Sequence, residues 1–241
     1  MKKPVMLLLL ALAMAACTRH EQAPVLPAAS AKGAAIVEVS GSKQVQRIGA
    51  ALDQPIVVQI NDAQGAAVKG ALVQLSGTNG TAFESSAGLT DESGQFTTLV
   101  SAPGQAGHFE VVAATSTSDG KTVEIKLDEM ALGYEQTLGR QLNQQFCIRC
   151  HDPESTTERV SNMDNLDPKP HPFAEGDTLN KMSDADLVAI ISRGGNALNK
   201  SASMPPFGYT LSKSDIQALV SYIRAVADPP YHAPGAAYAN K

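Results

Sequence analysis

Two cysteines and one histidine stand close together in the second half of the 241-residue chain. Cys147, Cys150 and His151 form the pattern Cys-x-x-Cys-His, whose thiols and imidazole suit four kinds of chemistry. The group could ligate a structural zinc ion, work as a redox dithiol, form a disulfide, or attach a haem covalently. A zinc site needs four nitrogen or sulfur ligands, and Cys17 is the only further cysteine of the chain.

Haem attachment uses all three side chains of this motif. Two thiols on one local turn can each add to a vinyl group of the porphyrin, and the next imidazole then faces the iron as proximal ligand. A redox dithiol is expected in a βαβ setting, whereas here an apolar helical pattern precedes the motif. A disulfide leaves His151 without a role. We therefore predict one covalent haem c on Cys147 and Cys150, with His151 as an iron ligand, and zinc, dithiol and disulfide as alternatives.

The first residues of the chain predict export. Lys2 and Lys3 precede the apolar run VMLLLLALAMA, which is shorter than the roughly 20 residues of a membrane-spanning helix. The stretch MAAC resembles the lipobox of bacterial lipoproteins, which implies cleavage before Cys17 and acylation of its sulfur. An ordinary signal peptide with Cys17 as a passenger is the alternative. The prediction is a lipid-anchored protein on the periplasmic side of a bacterial membrane, and Thr18 after the cysteine favours the outer membrane.

Composition bounds the remaining organisation. The net charge of −5 is spread along the chain and no basic run is present, so a nucleic-acid partner is not expected. Tryptophan is absent and aromatic residues make up 5% of the chain, so aliphatic side chains must form the cores. The predicted segments are a signal peptide at 1–16, an Ala/Pro-rich tether at 17–35, a β-domain at 36–127, a helical domain at 128–229 and a flexible tail at 230–241.

Short β-type runs separated by turn sequences fill residues 36–127. Runs such as PIVVQI and FEVVAAT carry β-branched residues in partial alternation, and NDAQG, SGTNG and TDESG mark turns. Many short strands at this spacing predict an all-β antiparallel sandwich. The stretches VVQINDAQGAAVKGALVQLSG and GLTDESGQFTTLV resemble the immunoglobulin-like domain that is repeated in invasins and intimins. No catalytic constellation is visible there, and His108 is interpreted as structural.

The period becomes helical after Asp128. Leu138, Leu142 and Phe146 are spaced four apart, which predicts a helix that runs into the Cys-x-x-Cys-His motif. Gly139 within that helix costs about 1 kcal/mol relative to alanine, so another backbone or ring is expected close to it. Two later helices are predicted to begin at the caps Ser183 and Ser212, each with an aspartate three residues on; Gly194-Gly195 ends the first of them and Pro229-Pro230 the second.

The sequence SASMPPFGYTLSKSDIQALVSYIRAVA, which follows the motif, resembles the class I cytochromes c of bacteria. The resemblance covers about residues 130–229 and implies a small all-α cytochrome c fold. It implies that a C-terminal helix carrying Tyr222 crosses the first helix at Gly139. It also implies that Met204 is the distal ligand of the iron. A thioether is a soft ligand that favours ferrous iron, and two prolines after Met204 stiffen its loop.

Other side chains compete with Met204 for the sixth iron position. Met163 and Met182 are rival thioethers, and His171 in PKPHPF could give bis-histidine ligation. The chain also departs from the family pattern after the motif, because Asp152 stands where the family has glycine. The following stretch, up to about residue 180, is hard to align with the shortest cytochromes c. The residues that shield this side of the haem are therefore left open.

The predicted function is electron transfer without catalysis. Ligation by His151 and Met204 occupies every coordination position of the iron, so none is open to a substrate. The protein then sets the reduction potential of the haem and shapes the surface on which its partners dock. The expected partners are a donor and an acceptor redox protein in transient contact, with the membrane reached through the lipid anchor. The immunoglobulin-like domain is predicted to act as a spacer or docking module. The alternatives are a haem peroxidase or gas sensor with a displaceable methionine, and an adhesion or assembly protein with an accessory haem domain.

Overall fold

The computed structural model describes residues 31–152, 154 and 161–233. The signal peptide predicted at 1–16, most of the tether predicted at 17–35, including Cys17, and the tail from 234 onward lie outside the described residues. The strands, in chain order, are β1 Ala35–Ser40, β2 Val45–Arg47, β3 Ile56–Asn61, β4 Leu72–Gly77, β5 Ala82–Phe83, β6 Ala87–Leu89, β7 Gln95–Thr98, β8 Val100–Ser101, β9 Gly107–Ser116 and β10 Thr122–Leu132. The helices are α1 Tyr134–Leu142, α2 Gly176–Leu179, α3 Asp184–Arg193 and α4 Lys213–Ala225.

The strands form the predicted β-sandwich. One sheet has the order β1-β3-β7, the other has the order β2-β10-β9-β4-β6, and β5 pairs with β8. Strand β3 shows why these sheets pack face to face: Ile56, Val58 and Ile60 are buried, and the residues between them are only half-buried. This alternation of period two places one face of each sheet in a shared aliphatic core. Phe96 and Phe109 are the aromatic members of that core.

Aspartate side chains fix the turns that the sequence predicts between strands. The carboxylate of Asp91 accepts hydrogen bonds from the backbone N–H groups of Ser93 and Gln95, at 2.8 and 2.9 Å. Gly94 between them has φ of 71°, which is why glycine is required there. Asp62 makes the same kind of turn after β3. These local hydrogen bonds fix the turns that carry the chain from one sheet to the other.

Strand β10 joins the sandwich directly to the helical part. It runs through the boundary predicted at 127/128 and ends at Leu132, and only Gly133 separates it from α1. The strand continues because Met130 and Leu132 are buried against the helices, together with Val45 of β2. The sandwich and the helices therefore share one apolar cluster at their junction.

Helices α3 and α4 begin where the sequence predicts, and α3 also ends at its predicted glycine, but α4 ends at Ala225, before the stop predicted at Pro229-Pro230. Ser183 caps α3 and Ser212 caps α4. In each case the carboxylate of the aspartate three residues on, Asp186 or Asp215, accepts a hydrogen bond from the backbone N–H of the capping serine. Gly194 ends α3 with φ of 79°. These caps satisfy backbone N–H groups that have no partner within the helix. They fix the starting points of the two helices that flank the Met204 loop.

Helices α1 and α4 cross in close contact at Gly139, as predicted. A Cβ atom at Gly139 would lie 2.1 Å from the carbonyl oxygen of Ala218 and 2.6 Å from Cβ of Tyr222. Leu142 is buried in this crossing, but Leu138 is exposed. The face predicted from Leu138, Leu142 and Phe146 is therefore wrong in its first member, because α4 approaches over Gly139 and Leu142 rather than over Leu138.

Candidate haem-binding site

The Cys-x-x-Cys-His motif lies on a turn that follows α1 without a break. Asn143–Cys147 forms one turn of π-helix, in which the backbone N–H of Ile148 donates to the carbonyl of Asn143 at 3.0 Å. The N–H groups of Cys150 and His151 then both donate to the carbonyl of Cys147, each at 3.0 Å. Turns of π-helix are rare and often occur at functional sites. This one brings the two thiols and the imidazole onto a single short piece of backbone.

The imidazole of His151 is oriented by a backbone carbonyl. Its Nδ1 lies 2.7 Å from the carbonyl oxygen of His171. A carbonyl oxygen can only accept, so Nδ1 carries the proton and donates, and the lone pair of the neutral ring is on Nε2. Burial lowers the pKa of His151, which also favours the neutral ring. His151 thus has the tautomer that a metal-binding histidine needs, with Nδ1 held by an outer partner.

Cys147 does not have the electrostatics of the reactive thiol of a redox dithiol. Cys147 and Cys150 are free and half-buried. Burial, with a smaller contribution from Cys150, raises the pKa of Cys147 to about 12. A redox-active Cys-x-x-Cys pair instead has one thiol whose pKa is lowered by a helix N-terminus or a cation. The environment of Cys147 therefore argues against the dithiol alternative and leaves a neutral thiol beside His151.

The segment after the motif is organised by the residue that departs from the family pattern. Asp152 is buried; its carboxylate accepts from the backbone N–H of Ser161 at 2.9 Å. Its own carbonyl accepts from the N–H of Phe173 at 2.8 Å. The aspartate side chain thus ties Ser161 to the turn of the motif, and the backbone carbonyl of the same residue, which glycine would also supply, ties Phe173 to it. Part of the loop, 153 and 155–160, lies outside the described residues.

Phe173 connects the motif to the helix crossing. Its ring lies 5.2 Å from that of His151 and 6.2 Å from that of Tyr222, between centroids. The side chain of His171, two residues before Phe173, is exposed, and its Nδ1 lies 3.0 Å from a carboxylate oxygen of Glu175. The backbone of His171 therefore serves His151, while its side chain pairs with Glu175. This arrangement does not favour the bis-histidine alternative.

The Met204 loop is fastened to the end of α3 by backbone contacts. The N–H of Gly195 donates to the carbonyl of Met204 at 3.0 Å, and the N–H of Phe207 donates to the carbonyl of Ile191 at 3.0 Å. A Cβ atom at Gly194 would lie 2.7 Å from the carbonyl oxygen of Met204, so glycine is needed for this approach. The loop predicted to present Met204 is thereby held on both sides.

An aromatic contact joins the Met204 loop to the turn of the Cys-x-x-Cys-His motif. The rings of Phe146 and Phe207 meet edge to face, with centroids 6.3 Å apart. Phe146 immediately precedes Cys147, and Phe207 follows Met204 by three residues. The fold thus brings together the two sequence regions that the prediction combines. Met163 is buried, whereas Met182 and Met204 are half-buried against the helical core.

The side chains around the motif fit a large apolar planar group. Four of them are only half-buried although they pack against the helical core: Phe146, Cys147, Met204 and Phe207. A porphyrin offers the apolar surface that such side chains lack. Free thiols and an imidazole with Nε2 available complete the set, so the residues present fit haem. No group of three or more His, Cys, Asp or Glu that could hold a metal ion occurs within the described part of the chain.

Three contributors to this site were missed at the level of sequence. They are the carbonyl of His171, the carboxylate of Asp152 and the ring of Phe173. The departure of Asp152 from the family glycine was the one available signal. The carbonyl of His171 could not be found from residue types, because every residue carries one and only the fold selects which carbonyl meets an imidazole.

Residues 135–223 match the family model described as "Cytochrome C oxidase, cbb3-type, subunit III". The match includes the turn of the Cys-x-x-Cys-His motif, Met204 and nearly all of the two crossing helices. No curated protein matches the chain. Among the residues that the structure describes, no helix has the length and apolar character needed to cross a bilayer.

Solved structures similar to the chain include two fragments of intimin. The "D00-D0 domain of Intimin" has 13% identity, a TM-score of 0.32, and coverage of 45% of this chain and 51% of that one. The "D0-D1 domain of Intimin" has 18% identity, a TM-score of 0.31, and coverage of 43% and 50%. The adhesin InvE of Yersinia pseudotuberculosis has 14% identity, a TM-score of 0.31, and coverage of 44% and 33%. The chain thus spans about half the length of the intimin structures.

Proposed function

We infer the function from a chain that joins an immunoglobulin-like β-sandwich to a cytochrome c domain, which is the arrangement that the sequence predicts. A cytochrome c domain implies haem c and electron transfer. We propose more specifically that one haem is bound covalently through Cys147 and Cys150, with His151 and Met204 as axial ligands. The protein then acts as an electron carrier, not as an enzyme, between a donor and an acceptor redox protein.

The hydrogen bond of His151 carries this proposal. The carbonyl of His171 fixes the proton on Nδ1 and leaves Nε2 for iron, on the same turn as two free thiols. When bound, haem supplies a single iron that accepts and gives up one electron. The residues of the chain orient the imidazole, hold the Met204 loop and exclude water with Phe146, Phe173 and Phe207. A thioether opposite an imidazole favours the ferrous state and raises the reduction potential.

The sandwich is proposed to hold the cytochrome away from a membrane. The shared cluster of Val45, Met130 and Leu132 supports a stiff connection, because a spacer that bends freely would not set a distance. The anchor itself is proposed on Cys17, on the periplasmic side and with the outer membrane favoured. Substitution Cys17→Ser is expected to release the protein from the membrane fraction. Retention of that variant in the membrane would remove the anchor from the proposal.

A redox titration followed by absorption spectroscopy tests the ligand set. Substitution Met204→Ala is expected to abolish the weak sulfur-to-iron absorption band and lower the reduction potential. Met182→Ala, which removes a half-buried thioether from the same core, is the matched control and should keep the band. An unchanged spectrum in Met204→Ala would refute the axial assignment. Fast, tight binding of carbon monoxide to the reduced wild type would instead favour a sensor or peroxidase with a displaceable methionine.

A further inference from the structure

One buried acidic group has no part in the function proposed above. Glu129 of β10 is 1% exposed. One of its carboxylate oxygens accepts from the backbone N–H of Gln44 at 2.6 Å, and the other has no hydrogen-bond partner. Removing a carboxylate from water is costly unless a cation compensates it. Burial accordingly raises the pKa of Glu129 to about 8, so the group changes charge near neutral pH.

The groups that face Glu129 are predominantly acidic. Lys43 is within electrostatic reach, but its Nζ lies 3.4 Å from Asp128 and 3.9 Å from Asp228. His108 is likewise engaged with Asp128, at 3.2 Å. The titratable groups around Glu129 from every packed element are Glu38, Lys43, His108, Asp128, Glu154 and Asp228. The surrounding charges therefore favour a proton on Glu129 rather than a bare carboxylate.

A small cavity connects Glu129 to the helical domain. Its volume is about 50 Å³, which exceeds the ~15 Å³ that one water molecule requires. Strand β10 contributes Asp128, Glu129 and Met130 to its wall, and the cytochrome contributes Glu154 and residues 225–228. The wall offers the polar partners that a buried water needs. A water molecule held there would give protons from the solvent a path to the carboxyl of Glu129.

Polar side chains lie between this cavity and the turn of the Cys-x-x-Cys-His motif. The carboxylate of Glu154 accepts from Nε of Arg140 at 2.6 Å. The hydroxyl of Tyr222 and the side-chain amide of Asn143 are buried next to it. Burial first, and the charge of Glu154 second, raise the pKa of Tyr222, and its hydroxyl interacts with the side chains of both Glu154 and Asn143. Polar contacts therefore lead from Glu154 through Tyr222 to Asn143. Asn143 begins the π-helical turn that ends at Cys147.

We propose that Glu129 is a proton-binding site, built at the junction of the two domains, whose occupancy is coupled to the oxidation state of the haem. This rests on the proposed electron-transfer function. Arrival of one electron from the donor protein makes the cytochrome more negative by one charge. At a pH near 8, where Glu129 is partly ionised, its carboxylate then binds a proton from solvent through the cavity. Loss of the electron to the acceptor returns that proton to solvent, so charge and atoms balance over the cycle.

The test compares Glu129→Gln with Glu124→Gln in the full haem-loaded chain. Glu124 is an exposed glutamate on the same strand and is the matched control. In the wild type we expect the reduction potential to fall as pH rises through the region of pH 8. We also expect proton uptake on reduction in weakly buffered solution, and a carboxylic-acid band in the reduced-minus-oxidised infrared difference spectrum. Glu124→Gln should keep all three signals, and Glu129→Gln should lose them.

Four results would overturn the proposal. A wild-type potential independent of pH in that region would do so, and so would equal proton uptake in Glu129→Gln. Because Glu129→Gln could fold poorly, Lys43→Gln provides a second variant with the carboxyl still in place. Removing this nearby cation should move the inflection to higher pH, and an unmoved inflection also contradicts the proposal. Haem that is not reversibly reduced would overturn the proposed function and this inference together, whereas reversible reduction without a pH inflection overturns this inference alone.

Discussion

The sandwich and the helical domain close their cores to different degrees. In the sandwich, Val58, Ile60, Val73 and Val111 are completely buried and the two sheets cover each other. In the helical domain, two large rings remain half-buried: Phe146, which precedes Cys147 in the chain, and Phe207, which contacts it. The sandwich therefore buries the centre of its core with its own residues, whereas the apolar rings beside the motif of the helical domain leave a surface that a group such as haem would cover. We therefore expect the stability of the two domains to depend on haem to different extents.

Loss of haem attachment should have the largest effect on this comparison. The double variant Cys147→Ser/Cys150→Ser removes both thiols, so haem should be extracted by acid–acetone. Helices α1 and α4 should then lose protection from hydrogen exchange, because their core lacks a major apolar partner. The strands of the sandwich should keep their protection, which serves as the internal control. Full retention of haem by the double variant would contradict the attachment at these cysteines.

A change of pH should act on the sandwich through Glu129. The folded state holds a proton on Glu129 up to pH about 8, whereas an unfolded glutamate loses it near its ordinary pKa of about 4.3. In the window between these two pH values the folded state thus binds more protons than the unfolded state. The stability that Glu129 contributes is full below the lower value and is lost as pH rises through about 8. One pKa unit corresponds to about 1.4 kcal/mol, so the fall amounts to several kcal/mol.

Chemical denaturation at a series of pH values measures this effect. The substitution Glu129→Gln should flatten the dependence of the unfolding free energy on pH across the window. The exposed Glu124→Gln should retain the slope of the wild type. A slope that is equal in all three proteins would show that Glu129 does not carry the effect. A slope confined to the helical transition would move the responsible group out of the sandwich.

The crossing of α1 and α4 should be more sensitive to a single methyl group than a loop of the sandwich. Gly139→Ala places a Cβ atom against the carbonyl of Ala218. Overpacking of this kind costs about 3 kcal/mol, and the gain in helix propensity returns about 1 kcal/mol. We expect a net destabilisation of about 2 kcal/mol in the helical transition. Gly104→Ala, in an open loop of the sandwich, should change stability by less than about 0.5 kcal/mol.

The smallest predicted effects are those of local hydrogen bonds. Ser212→Ala removes the cap of α4 and should cost about 1 kcal/mol, mainly in the helical transition. Asp91→Ala removes the turn hydrogen bonds to Ser93 and Gln95 and should cost about 1 kcal/mol in the sandwich. Equal shifts of both transitions in both variants would indicate that the two domains unfold as one unit through their shared cluster.

Much of the fold could be predicted because its signals are local. The alternation in β3, the turn at Asp91 and the caps at Ser183 and Ser212 each act within a few residues. Gly139 was recognised because a glycine within a helix requires a reason. The first helical face was predicted incorrectly at Leu138, because the direction from which α4 approaches is a property of the whole domain.

The candidate site divides in the same way. The spacing of Cys147, Cys150 and His151 was sufficient to suggest the chemistry, and the resemblance around Met204 suggested the second ligand. These ligand roles remain predictions. The outer partners could not be inferred, because the carbonyl of His171 and the ring of Phe173 reach His151 only through the loop that Asp152 ties down.

The sequence by itself determined the order of the β-sandwich and the helical part, the Cys-x-x-Cys-His motif and the starts of α3 and α4, since each depends on residues that are neighbours in the chain. Only the tertiary structure decided that β10 passes through the domain boundary and buries Met130 and Leu132 against the helices. The same packing removes Glu129 from water between two domains. Long-range burial sets the charge of a group, and no pattern of nearby residues encodes it.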